Sequence, residues 1–158
     1  MSKLAEDLVR VPPEYPDQYI HLTLPVPPSV NHMYQSAGRG RRLTKDAMNY
    51  IRIAQEECKK KIKRYEWKKD AEGVWYVMDL YYFFPDRKTR DSHNTLKILT
   101  DALEGLIFSN DYFVLPRIQN VTLDRDNPRL ELILYPQTKI EGRYVERIND
   151  ESKSKEIA

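Results

Sequence analysis

The pattern of apolar and polar positions changes period several times along the chain. Tyr19 to Leu24 alternates, with Ile20, Leu22 and Leu24 on one side, which predicts a strand with one buried face. Pro25, Pro27 and Pro28 end it, and the polar stretch Ser29 to Arg42, holding Gly38 and Gly40, reads as a loop. Thr44 is placed to cap a helix reaching about Arg64, whose apolar stripe is Ala47, Met48, Ile51, Ala54, Cys58 and Ile62. Val74 to Phe84 is apolar on both alternating sides except at Asp79, the signature of a central strand covered on two faces. A charged loop, Pro85 to Arg90, leads to a second helix from about His93 to Ile107, with Leu96, Leu99, Leu103 and Leu106 inward. After a turn at Ser109-Asn110-Asp111, a short strand is expected near Tyr112 to Leu115 and another at Arg117 to Leu123. An Asp126-Asn127-Pro128 turn precedes a last strand, Arg129 to Tyr135, with Leu130, Leu132 and Leu134 on one face.

This order predicts an α/β (α+β) domain: a small single-layer mixed sheet packed with two main helices. The domain is expected over residues 18–136. Residues 1–17, with Pro12, Pro13 and Pro16, read as a loose arm, and the polar stretch 137–158 reads as a flexible tail.

Composition narrows the class. A chain of 158 residues fits one domain with a proper core, and 41% hydrophobic with 32% charged residues describes a globular protein rather than a disordered one. No apolar run approaches the roughly 20 residues of a membrane span. Cys58 is the single cysteine, which excludes an intramolecular disulfide and suits a reducing compartment. The opening residues hold no apolar stretch that would serve as a secretory signal, so the expected location is the cytoplasm. Net charge is only +2, yet Arg39 to Lys69 carries twelve Lys/Arg against four acids. That block either follows a phosphate backbone or forms a solvated helix face.

Chemistry concentrates around the second helix. Asn94, Lys97, Asp101 and Glu104 share one face through spacings of three and four, opposite the leucines. Asp91 and His93 stand at the helix start, where backbone N–H groups favour anions, and Asn110-Asp111 follows its end. A tight turn there would carry Asp111 back toward Asp91. Phosphodiester hydrolysis needs a hard cation on oxygen ligands and a nearby lysine to balance charge building on the phosphate. Asp91, Asp111 and Lys97 supply these types, with Arg87, Lys88 and Arg90 placed to hold a strand. Each residue also has an ordinary structural use: Asp91 as an N-cap, His93 as a first-turn residue, Lys97 with Asp101 as a surface pair, and Asn110-Asp111 as a turn.

Two segments resemble the RusA family of Holliday-junction resolvases. Leu24-Pro25-Val26-Pro27-Pro28-Ser29-Val30-Asn31-His32 is similar to that family's proline and asparagine motif. Arg87-Lys88-Thr89-Arg90-Asp91-Ser92-His93-Asn94-Thr95-Leu96-Lys97, continuing to Asp101-Ala102-Leu103-Glu104-Gly105 and Asn110-Asp111, is similar to its basic run, Asp-x-Asp-Asn, lysine, Asp-Ala-Leu and paired acids. The likeness extends roughly from Tyr19 to Pro136. It implies a homodimeric, Mg²⁺-dependent endonuclease that cuts four-way DNA junctions in recombination and repair, often encoded by phages or prophages, in the cytoplasm of a bacterial or phage-infected cell. Carried over by position, it implies Asp91, the His93 position and Asp111 as metal ligands and Asp91, Lys97 and Asp111 as the catalytic set. Asn94, Asp101 and Asn110 would support them. Asn31, Arg39, Arg41, Arg42, Lys60, Lys63, Arg87, Lys88 and Arg90 would contact DNA. The chain departs from the pattern twice, with His93 for the second acid and Asn110 for the first of the acidic pair. Imidazole is neutral and softer than carboxylate, which leaves Mn²⁺ beside Mg²⁺ as the cation. A relative whose site has decayed through these two changes, binding junction DNA without cutting it, is the alternative reading.

Overall fold

A computed structural model of the chain describes residues 18–69 and 74–137. The expected arm 1–17 and the tail from residue 138 lie outside these residues. Gln137, expected to begin the tail, is instead buried, and its backbone N–H donates to the Trp75 carbonyl (2.9 Å).

Four strands form one sheet: β1 (Ile20–Leu24), β4 (Tyr76–Phe84), β5 (Val114–Leu123) and β6 (Arg129–Pro136), in the order β1-β6-β4-β5. β6 runs antiparallel to both β1 and β4, and β4 runs parallel to β5. The sheet is therefore mixed, and β1 and β4 point the same way. The helices α1 (Lys45–Tyr65) and α2 (Leu96–Leu103) contribute to the core on one sheet face. There Ile20, Leu22, Leu24, Leu130, Leu132 and Leu134 meet Ala54 and Cys58 of α1 and Ile98, Leu99 and Leu103 of α2. Each leucine or isoleucine among them, fully withdrawn from water, contributes about 1.5–3 kcal/mol before entropy is charged against it. Burial pushes the Cys58 thiol up to about 12, so it stays protonated, as a core residue should.

The other face mixes apolar and polar groups. Val77, Phe83, Ile133 and Tyr135 cluster there. Arg129 bonds Glu131 (2.9 Å) and Asp124 (3.0 Å) while lying over the Phe83 ring (3.9 Å). Burial alone would raise the Glu131 carboxyl, but hydrogen bonds from His21, Arg129 and Thr23 hold it below its ordinary range. Asp79, the polar exception in the central strand, accepts from Gln119 (2.9 Å) and the Tyr135 hydroxyl (3.3 Å).

Several expectations need correction. The predicted loop Ser29 to Arg42 contains a 3₁₀ turn (Val30–His32) and a hairpin of β2 (Tyr34–Ala37) and β3 (Gly40–Leu43). Gly38 sits at its tip with φ +60, a left-handed conformation that glycine adopts without strain. Within α1, Met48 is exposed and Tyr50 is buried instead. The second helix begins as a 3₁₀ turn (Ser92–Thr95) and ends at Leu103, well before Ile107. Gly105 at φ +81 turns the chain beyond it, and Leu106 is only partly buried. The two strands expected after Asp111 are one: a 3₁₀ turn (Asp111–Phe113) runs into the unbroken β5. Pro116 is tolerated because β5 is an edge strand, paired on one side only.

Thr44 ties the start of α1 to the proline–asparagine segment. Its hydroxyl accepts from the Ala47 N–H (3.2 Å) and donates to the His32 carbonyl (2.8 Å). Thr44→Ala removes both bonds and should lower unfolding free energy by about 1–2 kcal/mol, whereas Thr44→Ser should keep most of it. Urea midpoints of the two variants measure this, and an unchanged midpoint for the alanine variant would remove Thr44 from the account.

Candidate functional site

Because β1 and β4 point the same way, their C-terminal ends lie at the same end of the sheet. The proline–asparagine segment leaves the end of β1 and the Arg87 to Asn94 segment leaves the end of β4. They meet in a cleft of about 460 Å³ lined by Pro27, Asn31, His32, Arg90, Asp91 and Asn94. Asn31 and Asp91, more than fifty positions apart in sequence, thus share one wall-to-wall space.

Local bonds fix the second segment. The Asp91 carboxylate accepts from the His93 N–H (3.0 Å), capping the 3₁₀ turn, and stands 3.4 Å from the His93 Nδ1. Arg90 donates to Asp86 (2.6 Å) and lies over the Phe84 ring (5.0 Å). That bond, with the Lys88 backbone N–H, takes the Asp86 carboxyl down to about 2. Asp86 therefore stays charged and anchors Arg90 at the cleft. Arg87 and Lys88 are exposed beside it.

A second group forms at the far end of α2. Asp101, Glu104 and Asp111 bring their carboxylates within 4.8 Å of one another, and among the described residues they are the one such group of three metal-type side chains. Glu104 accepts the Asp111 backbone N–H (3.1 Å), which pins the turn that delivers Asp111. Asn110 caps that turn through the Tyr112 N–H (2.9 Å), so the residue replacing the first acid of the pair has a structural task. Lys97 donates to Asp101 (2.8 Å). That bond holds the Lys97 ammonium above the usual lysine range, with lesser help from the charges of Asp101 and Asp111 and from Tyr34. Lys97 therefore stays cationic.

The structure brings Asp111 to Asp101 and Glu104, not to Asp91. Asp91 precedes the helical run and Asp101 lies ten residues along it, about 15 Å at helical rise. Within one chain the expected Asp91, His93 and Asp111 thus stand as two groups, with Lys97 between them in sequence and bonded to the second. All donors of the second group are carboxylate oxygens, which suits a hard divalent ion. Tyr34 and Glu104 were not among the expected site residues. The spacing of Glu104 from Asp101 carried a signal, since i and i+3 share a helix face, while Tyr34 lay in a segment with no periodicity to read.

Of the expected DNA contacts, Arg39, Arg41 and Arg42 are exposed on the hairpin, and Lys60 and Lys63 are exposed on the last turns of α1. Lys60 pairs with Glu57 (3.0 Å). The two basic groups flank opposite ends of α1, on the order of 20 Å apart by helical rise. Among the described residues no helix is long and apolar enough to cross a membrane.

No curated protein proves similar enough to match the chain. The sequence model of the family described as Endodeoxyribonuclease RusA matches residues 25–135, more than two thirds of the chain. That span takes in the proline–asparagine cleft, Lys97 and both carboxylate groups, and the chain belongs to the RusA endodeoxyribonuclease family.

Proposed function

We propose that this nuclease is a divalent-metal-dependent endonuclease that cuts four-way DNA junctions, acting as a homodimer in the cytoplasm during recombination or repair. One observation carries the reading: the two segments that define the family resemblance, remote in sequence, line one cleft at the start of the helix that bears Lys97 and the acidic group.

Asp111, with Asp101 and Glu104 beside it, would hold the metal at one end of the site, and Asp91 with His93 would contribute at the other. A single ion shared by Asp91, His93 and Asp111 requires the two ends to approach, across a subunit boundary or on binding DNA. When bound, Mg²⁺ or Mn²⁺ would neutralise phosphate charge and lower the pKa of a water. Lys97, kept protonated by Asp101, would donate to a phosphate oxygen as charge builds there. Arg90, held by Asp86, would clamp the backbone in the cleft, with Asn31, Arg87 and Lys88 around it. The hairpin arginines and the α1 lysines would neutralise more distant phosphates. Two symmetric cuts need two such sites, which is the functional reason for a dimer.

Lys97→Ala should lower single-turnover cleavage of a junction by roughly 100-fold or more while junction binding in a gel-shift assay stays within a few-fold. Asp111→Asn should lose metal-supported cleavage in the same assay. Wild-type rates in both variants would reduce the pair to surface charges.

His93 separates a metal ligand from a helix-starting residue. Imidazole in place of carboxylate favours borderline metals, so Mn²⁺ should support faster cleavage than Mg²⁺ at equal concentration. His93→Asp should raise the Mg²⁺ rate, and His93→Ala should lose activity with both ions. An alanine variant that keeps the wild-type rate and metal preference would show that His93 does no more than begin the 3₁₀ turn.

A further inference from the structure

Beside the acidic group lies an aromatic cluster that neither the core nor the proposed chemistry uses. Trp75, Tyr112 and Phe113 pack ring to ring, with centroids 5.6 Å apart for Trp75–Tyr112, 5.3 Å for Trp75–Phe113 and 5.1 Å for Tyr112–Phe113. Tyr112 is 70% exposed, above every other large hydrophobic side chain that stands out at the described surface. An aromatic ring is among the most favourable side chains to bury, so one left open against two others has an unused face.

The cluster is rigidly mounted. Asn110 accepts the Tyr112 N–H through its side chain (2.9 Å) and the Phe113 N–H through its carbonyl (3.2 Å). The Trp75 carbonyl accepts from the Gln137 N–H (2.9 Å), and the next residues, Tyr76 and Val114, pair in the sheet. The backbone on both sides of the cluster is held before any ligand arrives, which lowers the cost of binding. Tyr112 also follows Asp111 directly, and the Asp111 carboxylate lies within 4.8 Å of the Asp101 carboxylate to which Lys97 donates. A ligand whose anionic part sits at Lys97 and whose flat, apolar part reaches the residue after Asp111 is a nucleotide with its base out of the stack.

We propose that Trp75, Tyr112 and Phe113 form a stacking subsite for an unstacked nucleobase next to the scissile phosphate. The proposal rests on the nuclease reading and deepens it. A base is free to leave its stack at a branch point, whereas inside a continuous duplex it is held by two neighbours and a partner. The subsite thus selects branched DNA through the state of a base rather than through its identity, since every base offers a π-face.

The test uses the full chain in EDTA, with a four-way junction and a linear duplex of the same strand length, each carrying 2-aminopurine at the position of the crossover. Wild-type protein should bind the junction more tightly and quench its 2-aminopurine. Tyr112→Ala should weaken junction binding roughly tenfold, leave duplex binding within about twofold, and lose the quench, while Tyr112→Phe should keep all three wild-type properties. Sedimentation of Tyr112→Ala should match wild type. Equal losses on junction and duplex, or no loss at all, would overturn the subsite while leaving the nuclease reading intact. A variant that sediments as a smaller species would make the cluster a subunit contact, and so overturn the subsite as well. Wild-type protein with no preference for the junction would overturn both.

Discussion

The parallel pairing of β4 with β5 is the constraint on which the rest depends. Two parallel neighbours cannot be joined by a tight turn, so the chain must leave the C-terminal end of β4 and return to the start of β5 by a crossover. The proposed metal residues, Lys97 and Arg87 to Arg90 all lie on that crossover, and Asn31 lies at the mouth it opens onto. The register pairs Tyr76 with Val114, so Asp91 emerges at one end of the strand pair and Asp111 is delivered at the other. The helix between them carries Lys97. The same geometry explains the cleft: β1 points the same way as β4, and its proline–asparagine segment is therefore released beside Asp91.

Charge is balanced locally at both ends. Three carboxylates within 4.8 Å repel one another, and Lys97 relieves part of that repulsion from Asp101. Among the described residues no other three metal-type side chains gather in this way. At the cleft the arrangement is reversed, since the Asp86 carboxylate holds an arginine in place. One end gathers three carboxylates beside Lys97, and the other holds an arginine beside Asp86.

Much of the fold was legible because burial imposes a period. The alternation of Ile20, Leu22 and Leu24, the cap at Thr44, the two-sided apolar run into Phe84 and the leucines of β6 all map onto observed elements. The hairpin was not legible, because all but one of its strand residues are exposed and no apolar repeat marks it. Pro116 misled in the other direction: proline usually interrupts a strand, and only the position of β5 at the sheet edge makes it harmless. The helix end was misplaced because Leu106 continues the leucine spacing, whereas the backbone leaves the helix at Glu104 and turns at Gly105. At the site, residue types and the resemblance pointed to Arg87 to Lys97 and to Asn110-Asp111, both within the span that the family model matches. Which carboxylates meet depends on the length of the helix and the turn after it, and that places Asp111 with Asp101 and Glu104.

The central claim is that this crossover is a metal-dependent site for branched DNA. The most direct measurement incubates end-labelled four-way junctions, and linear duplexes built from the same strands, with the chelated protein before and after Mg²⁺ or Mn²⁺ is restored. The account predicts no cutting without metal, and paired nicks at symmetric positions of the junction with it, while the duplex stays whole. Junctions left intact under every metal, or duplex cut as readily as junction, would contradict it.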